Sequence, residues 1–207
     1  RHVVVSDQAG RSNILARFRE IGLDIDGNDD KIGDLVDLVK QREFSGYAYD
    51  GAEASFELLA RRKLGQVPDY FKGTSFRVID ERRWNAKGDL VTQSEATVKL
   101  EVDGKPFMAV AEGNGPVNAL DAALRKVLLP VYPQLADLRL VDYKVRILTP
   151  GDATAAVTRV MIESADAHGA HWSTVGVSPN VIDASYNALR DSIIYKLYRD
   201  GVGVERE

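Results

Sequence analysis

Cysteine is absent from all 207 residues of this chain, and histidine, methionine and tryptophan are scarce, with three, two and two copies. Without a thiol there is no disulfide framework, no thiolate metal site and no cysteine nucleophile, a composition that suits a reducing cytoplasm. No apolar run approaches the roughly 20 residues of a membrane span, and the opening His2-Val3-Val4-Val5 is too short for a signal peptide. An excess of positive charge is missing too. Lys and Arg number 27 against 31 Asp and Glu, for a net charge of −4, so no basic stripe calls for a nucleic-acid partner. The chain also lacks an initiator Met. It begins at Arg1 in what reads as a strand, so a fragment of a longer protein is expected.

What is present is a soluble globular composition, 44% apolar and 28% charged. Its length allows one large domain or two small ones, and the change of hydrophobic period near residue 73 favours two. Residues 1–72 read as helical. Ile14, Leu15, Phe18 and Ile21 recur at helical spacing over residues 12–21, with Gly22 as a stop. A second helix is expected from about Asn28-Asp29 to Ser45-Gly46, carrying Ile32, Leu35, Val36 and Val39. A third runs from Asp50 to Gly65, with Asp50 and Glu53 spaced as a capping box. The aperiodic stretch from Gln66 to Gly73 reads as a connection.

From there the chain states one pattern twice. Strands near Phe76–Asp80, Val98–Val102 and Phe107–Ala111 are joined by turns at Asn85–Gly88 and Asp103-Gly104, and a helix follows from Val117 to Leu129. Strands at Asp142–Leu148, Val157–Glu163 and His171–Val175 and a helix from Val181 to Tyr198 repeat the order, with His168-Gly169 as the matching turn. Ala123-Leu124-Arg125-Lys126 and Ala188-Leu189-Arg190-Asp191 hold corresponding places. The fold class expected is α+β: three helices, then a duplicated βββα unit over residues 73–207, in copies of about 74–130 and 138–200, with antiparallel sheets backed by helices. Such duplicated units can bury their faces together and leave a groove between them.

Candidate chemistry is thin. His168 and His171 sit in a turn and the strand after it, a spacing that does not set two imidazoles on one face, and no nearby carboxylate completes a metal set. No Gly-x-Ser-x-Gly elbow accompanies the serines. Acidic pairs such as Asp29-Asp30 and Asp80-Glu81 fit helix starts or solvated strand faces. The turn Glu112-Gly113-Asn114-Gly115-Pro116-Val117 says more: two glycines allow a tight turn, Pro116 suits the first helical position, and the open N–H groups behind it can receive a carboxylate. A plain strand-to-helix connection explains it equally. The matching Val175–Asn180 segment offers Ser178 or Asn180 as a helix cap.

Several ordered motifs carry a resemblance across essentially the whole chain. Ser6-Asp7-Gln8-Ala9-Gly10-Arg11-Ser12-Asn13 resembles the segment that follows the catalytic barrel in the α-isopropylmalate synthase and citramalate synthase family. Ala52-Glu53-Ala54-Ser55-Phe56-Glu57-Leu58 resembles a helix of its linker region, particularly in the citramalate branch. Gly113-Asn114-Gly115-Pro116-Val117, Val141-Asp142-Tyr143-Lys144-Val145 and Thr174-Val175-Gly176-Val177-Ser178 resemble its C-terminal regulatory domain. The resemblance implies a helical linker subdomain and a dimerising regulatory domain that binds the end-product amino acid, isoleucine or leucine, for feedback inhibition. It implies that the parent protein is an acyltransferase whose barrel condenses acetyl-CoA with a 2-oxo acid using a divalent metal. With no His-x-His metal motif here, the fragment itself is expected to need no cofactor and not to catalyse that condensation alone.

The resemblance also implies an effector pocket. One wall is Gly113, Gly115, Pro116, Val117, Leu120 and Asp121; another is Leu140, Tyr143 and Ile147; Thr154, Val157, Val177, Ser178 and Pro179 complete it. Asp121 would face the ammonium and the turn N–H groups the carboxylate. Singly, Leu120, Leu140 and Ile147 also read as core residues and Asp121 as a solvated helix charge. Two other readings stand beside this one: a ligand-free dimerisation module, and a small complete enzyme, which the missing nucleophile and acid–base pair disfavour.

Overall fold

The computed structural model describes residues 2–23, 30–148 and 156–204. Three helices come first: α1 (His2–Glu20), α2 (Asp30–Phe44) and α3 (Glu53–Lys63), with a single 3-10 turn at Tyr49–Gly51 before α3. The strand expected at the start is therefore a helix. A strand needs a neighbour for its backbone groups, and none is paired with these residues, whereas a helix satisfies its own. Asn28-Asp29, the expected start of α2, lies outside the described residues. The capping box at Asp50 is also replaced: the N-cap of α3 is Ala52, with no side-chain cap. Glu53 instead accepts the Ser173 N–H at 3.0 Å, and Asp50 meets Arg17 at 3.4 Å.

The remaining elements give two antiparallel three-stranded sheets of simple order, β1 (Lys72–Trp84), β2 (Leu90–Val102), β3 (Lys105–Gly113), and β4 (Arg139–Leu148), β5 (Val157–Ala165), β6 (His171–Ser178). Helix α4 (Pro116–Leu128) follows the first sheet and α5 (Val181–Arg199) the second. The β1–β2 hairpin closes through Asn85, whose Oδ1 accepts the N–H groups of Lys87 and Asp89. Asp103 and Gly104 both take positive φ, 50° and 73°, the geometry that lets a two-residue turn follow the twist of its strands. Alternation in β2 comes out as the sequence reads: Ala96, Val98, Leu100 and Val102 are buried against the helices, while Lys99 and Glu101 are exposed.

Two glycines bring each helix down onto its own sheet. A Cβ at Gly113 would stand 2.5 Å from the Ala119 nitrogen, and one at Gly176 would collide with the Ala184 carbonyl in α5. The two units then engage reciprocally. The start of α4 lies beside β4, and Tyr186 of α5 stacks on Phe76 of β1. One continuous core holds Leu120, Leu124 and Leu128 of α4, Leu189, Ile193 and Leu197 of α5, and Val98, Val160 and Ile162 of the sheets.

The helical segment has a core of its own that reaches onto the second sheet. Its core of Ile14, Phe18, Ile32, Leu35, Val39 and Phe56 includes Val175 of β6, so α3 covers the outer face of the second sheet. A buried polar network fixes that contact. The Val175 N–H donates to Ser55 Oγ (2.9 Å), Ser55 donates to Asp191 Oδ2 (2.9 Å), and Arg62 donates to Asp191 Oδ1 (2.9 Å). Tyr195 of α5 adds a bond to Glu57 of α3 at 3.1 Å. The Gln66–Phe71 connection is likewise anchored, since buried Tyr70 donates to the Val202 carbonyl at 2.7 Å.

Replacing Gly176 by alanine forces backbone against backbone, so the Gly176→Ala variant is expected to lose about 2–3 kcal/mol in urea unfolding. Gly115, with open space around its Cβ position, is the control: Gly115→Ala should stay within about 1 kcal/mol of the parent.

Candidate functional site

Between the two units lies a cleft of about 320 Å³. Gly115, Pro116, Val117 and Asn118, at the start of α4, form one side; Leu140, Val141, Asp142 and Tyr143 of β4 form the other. Its volume is at the lower end of those seen for small-molecule sites.

The α4 side supplies donors. Pro116 stands at the first helical position and Gly115 is the N-cap, with extended backbone and no side chain to cap the helix. The Val117 and Asn118 N–H groups therefore lack the intrahelical acceptors that later turns have, and the positive end of the helix dipole points at the cleft. The β4 side supplies apolar surface and an acid. Leu140 is half-buried, Val141 and Tyr143 are 49% and 39% exposed, and the Tyr143 hydroxyl sits 3.5 Å from Ser185 Oγ of α5. A register shift between Leu140 and Asp142 makes Val141 a bulge, which helps bring four successive residues, Leu140 to Tyr143, to one opening. Asp142 keeps a half-exposed carboxylate beside it, bonded to the Tyr143 N–H at 2.8 Å and 3.6 Å from Lys144 Nζ.

The site residues expected from the sequence are distributed unevenly. Gly115, Pro116, Val117, Leu140 and Tyr143 line the cleft together. Gly113 lies beneath it at the end of β3, where its missing side chain lets α4 approach. Leu120 is fully buried in the core. Asp121 does not line the cleft: both its oxygens are within 3.0 Å of Arg125 Nε, and Arg125 also donates to the Leu138 carbonyl. Burial pushes the Asp121 carboxyl up against the pull of Arg125, and the contacts with Arg125 already occupy both its oxygens. Ile147, Val157, Val177 and Pro179 belong to the other end of the second sheet, where Ile147 pairs with Thr158 and Thr158 with Ser178. Ile147 is 71% exposed there. Thr154 lies outside the described residues.

Asn118, Val141 and Asp142 line the cleft without having been singled out. Asp142 and Val141 stand within the Val141–Val145 motif, but only the bulge reveals that they share an opening with Tyr143. At the histidines, Glu163 lies across the strands with Oε1 3.2 Å from His171 Nδ1, a carboxylate that sequence spacing did not show. Among the described residues no group of three metal-ligating side chains forms, and no helix is long and apolar enough to cross a membrane.

Open N–H donors, an apolar wall and a carboxylate suit a small zwitterion with an apolar tail, such as an amino acid. The cleft offers no paired nucleophile and base.

Residues 50–197 match the model of the LeuA allosteric (dimerisation) domain. The chain is 50% identical over 95% of its length to an (R)-citramalate synthase of Geobacter sulfurreducens, and 48% identical over 97% to that of Aquifex aeolicus, covering 37% of each relative. Identity to the 2-isopropylmalate synthase of Aquifex aeolicus is 28%, over 99% of this chain and 36% of that protein. The chain thus spans little more than a third of the length of these relatives. It belongs to the family of LeuA allosteric (dimerisation) domains, the regulatory region of citramalate and isopropylmalate synthases.

Proposed function

We propose that this chain is the feedback-sensing unit of an acetyl-CoA-dependent 2-oxo acid condensing synthase, and that the cleft between α4 and β4 binds the end-product branched-chain amino acid, isoleucine or leucine. The observation that carries this reading is the uncapped start of α4 opposite an apolar strand edge. The effector carboxylate would take the Val117 and Asn118 N–H groups, its side chain would lie against Pro116, Leu140 and Tyr143, and its ammonium would meet Asp142 rather than Asp121. The catalytic barrel, its divalent metal and the acetyl-CoA site belong in this reading to the rest of the parent protein, in the cytoplasm.

Inhibition at a distance requires that the ligand favour one arrangement of the protein over another. Helix α5 offers the physical link. Its first turns touch the cleft through Ser185 and Tyr143, and its later turns hold α3 through Asp191 and Tyr195. In this reading the helices α1–α3 are the linker subdomain that passes the signal on.

The second reading, a dimerisation module without a ligand, draws on one specific feature. Tyr143, Val145 and Ile147 lie on one face of edge strand β4 and are 39%, 45% and 71% exposed. A homodimer that covers this strip serves both readings, because the strip continues from the cleft; a symmetric pair is the commonest arrangement.

Thermal melts with isoleucine, leucine, valine and methionine separate the two. A ligand at 100 times its dissociation constant stabilises by about 2.7 kcal/mol, which raises the melting temperature of a chain this size by roughly 5–10 °C. No shift at millimolar amino acid would leave the ligand-free module. Tyr143→Ala, at a surface position, should keep the fold and abolish the shift. Asp142→Ala should weaken binding at least about tenfold in calorimetry, the loss expected for a hydrogen bond to a charged group. Asp121→Ala should lower stability more than affinity, and the opposite order would exclude Asp142 as the ammonium partner.

A further inference from the structure

Because the unit is duplicated, every element of the cleft exists twice. Strands β1 and β4 break register at the same place, between Gly73 and Ser75 in one and between Leu140 and Asp142 in the other, so Phe76 stands where Tyr143 stands. Asn180 caps α5 as Gly115 begins α4, and Tyr186 holds in α5 the position that Asp121 holds in α4. A second cleft is therefore laid out between the start of α5 and strand β1.

That second cleft is filled from within at both ends. At the donor end, Asn180 Oδ1 accepts the Ile182 N–H at 2.8 Å and the Asp183 N–H at 3.3 Å, the counterparts of the open Val117 and Asn118 groups. At the apolar end, the Tyr186 ring stacks on Phe76 with centroids 4.6 Å apart. Its hydroxyl is seated against Gly73, in the space that a side chain at that position would take. In the open cleft the counterpart of Gly73 is Leu140.

Side-chain polar groups here are less fully paired than in the open cleft. Tyr186 is 6% exposed, and its hydroxyl lacks a hydrogen-bond partner of good geometry. Arg190 Nε is buried and likewise unpartnered, whereas Arg125, its counterpart, has both oxygens of Asp121. An aspartate at position 186 would give Arg190 Nε a partner, beside the 3.6 Å contact of its Nη2 with Asp191 Oδ1, and leave the apolar end of the cleft open. The tyrosine leaves Arg190 Nε unmet and its own hydroxyl poorly bonded, which normally costs stability. Filling the cavity is what it supplies in return.

We propose that Tyr186 is a resident ligand: its side chain occupies the second copy of the binding cleft, so that the chain accepts one amino-acid effector rather than two. Tethered to α5, the ring pays no association entropy and is present at high effective concentration, so a free amino acid does not displace it. The identity of the effector rests on the function proposed above; the plugging of the cleft does not.

Two arms test these parts separately, using the whole chain. In the first, Tyr186→Ala is melted with and without p-cresol, which has the shape of the missing side chain. The expected result is a rise of about 3 °C or more in the variant and none in the parent. If Tyr186→Ala does not fold alone, recovery of folded protein on refolding with p-cresol is the same result. Equal response of variant and parent, or of neither, overturns the proposal, since Tyr186 is then only a core residue. In the second arm, the double variant Asn180→Gly with Tyr186→Asp, which frees the Ile182 and Asp183 N–H groups and gives Arg190 Nε a partner, is titrated calorimetrically with isoleucine and with leucine. Two molecules bound per chain, against one for the parent, support the proposal, and one in both overturns it. If neither amino acid binds the parent, the effector reading fails by itself and the p-cresol arm still decides whether Tyr186 plugs a ligandable cleft.

Discussion

The close seating of each helix on its sheet is the constraint on which the rest of the molecule depends. Gly113 and Gly176 permit it, because a single methyl group at either strand position would meet helix backbone rather than a movable side chain. With the helices this deep, each one reaches the first strand of the other unit, and the two sheets share one core. The cleft is a by-product of that geometry. It forms where the start of α4 meets β4, and the bulge at Val141 widens the contact without breaking the sheet.

Duplication makes two such meeting points, and the chain treats them differently. At one, a glycine N-cap leaves helix donors open and an aspartate is drawn aside by Arg125. At the other, an asparagine caps the helix and a tyrosine fills the apolar space. The energetic logic differs accordingly. Closing a cleft internally stabilises the fold through burial and a satisfied cap, each worth about 1 kcal/mol or more. Leaving one open forgoes that stabilisation, and in the proposed reading reserves it for a ligand, whose binding would then be linked to stability and to the arrangement of neighbouring elements.

Helix α5 stands at the centre of this linkage. It covers the second sheet, plugs one cleft, borders the other through Ser185, and holds α3 by the buried Asp191 network. Breaking a buried charge pair of that kind is costly because the partner charge stays behind. The α3 contact is therefore a firm joint, suited to carrying a displacement of α5 into the preceding helices.

Much of the fold was legible in the chain itself. Alternation at Val98, Leu100 and Val102, turn residues at Asp103-Gly104 and His168-Gly169, and the repeated Ala-Leu-Arg helices specify two βββα units because those signals are local and act over a few residues. The motifs around Gly113–Val117 and Val141–Val145 likewise marked the two walls of the cleft. Other features depended on contacts between residues distant in sequence. Helical period alone could not tell that α3 joins the second sheet through Ser55, or that the residues after Arg1 would be helical without a strand to pair with. Nor could residue type tell which acid lines the cleft: the pairing of Asp121 with Arg125 one helical turn along is local, but only the bulged edge strand places Asp142 at the opening. The repeated sequence determined that the cleft would exist in two copies; tertiary packing decided that one is open and one is filled, because the fate of each depends on side chains that meet across the units.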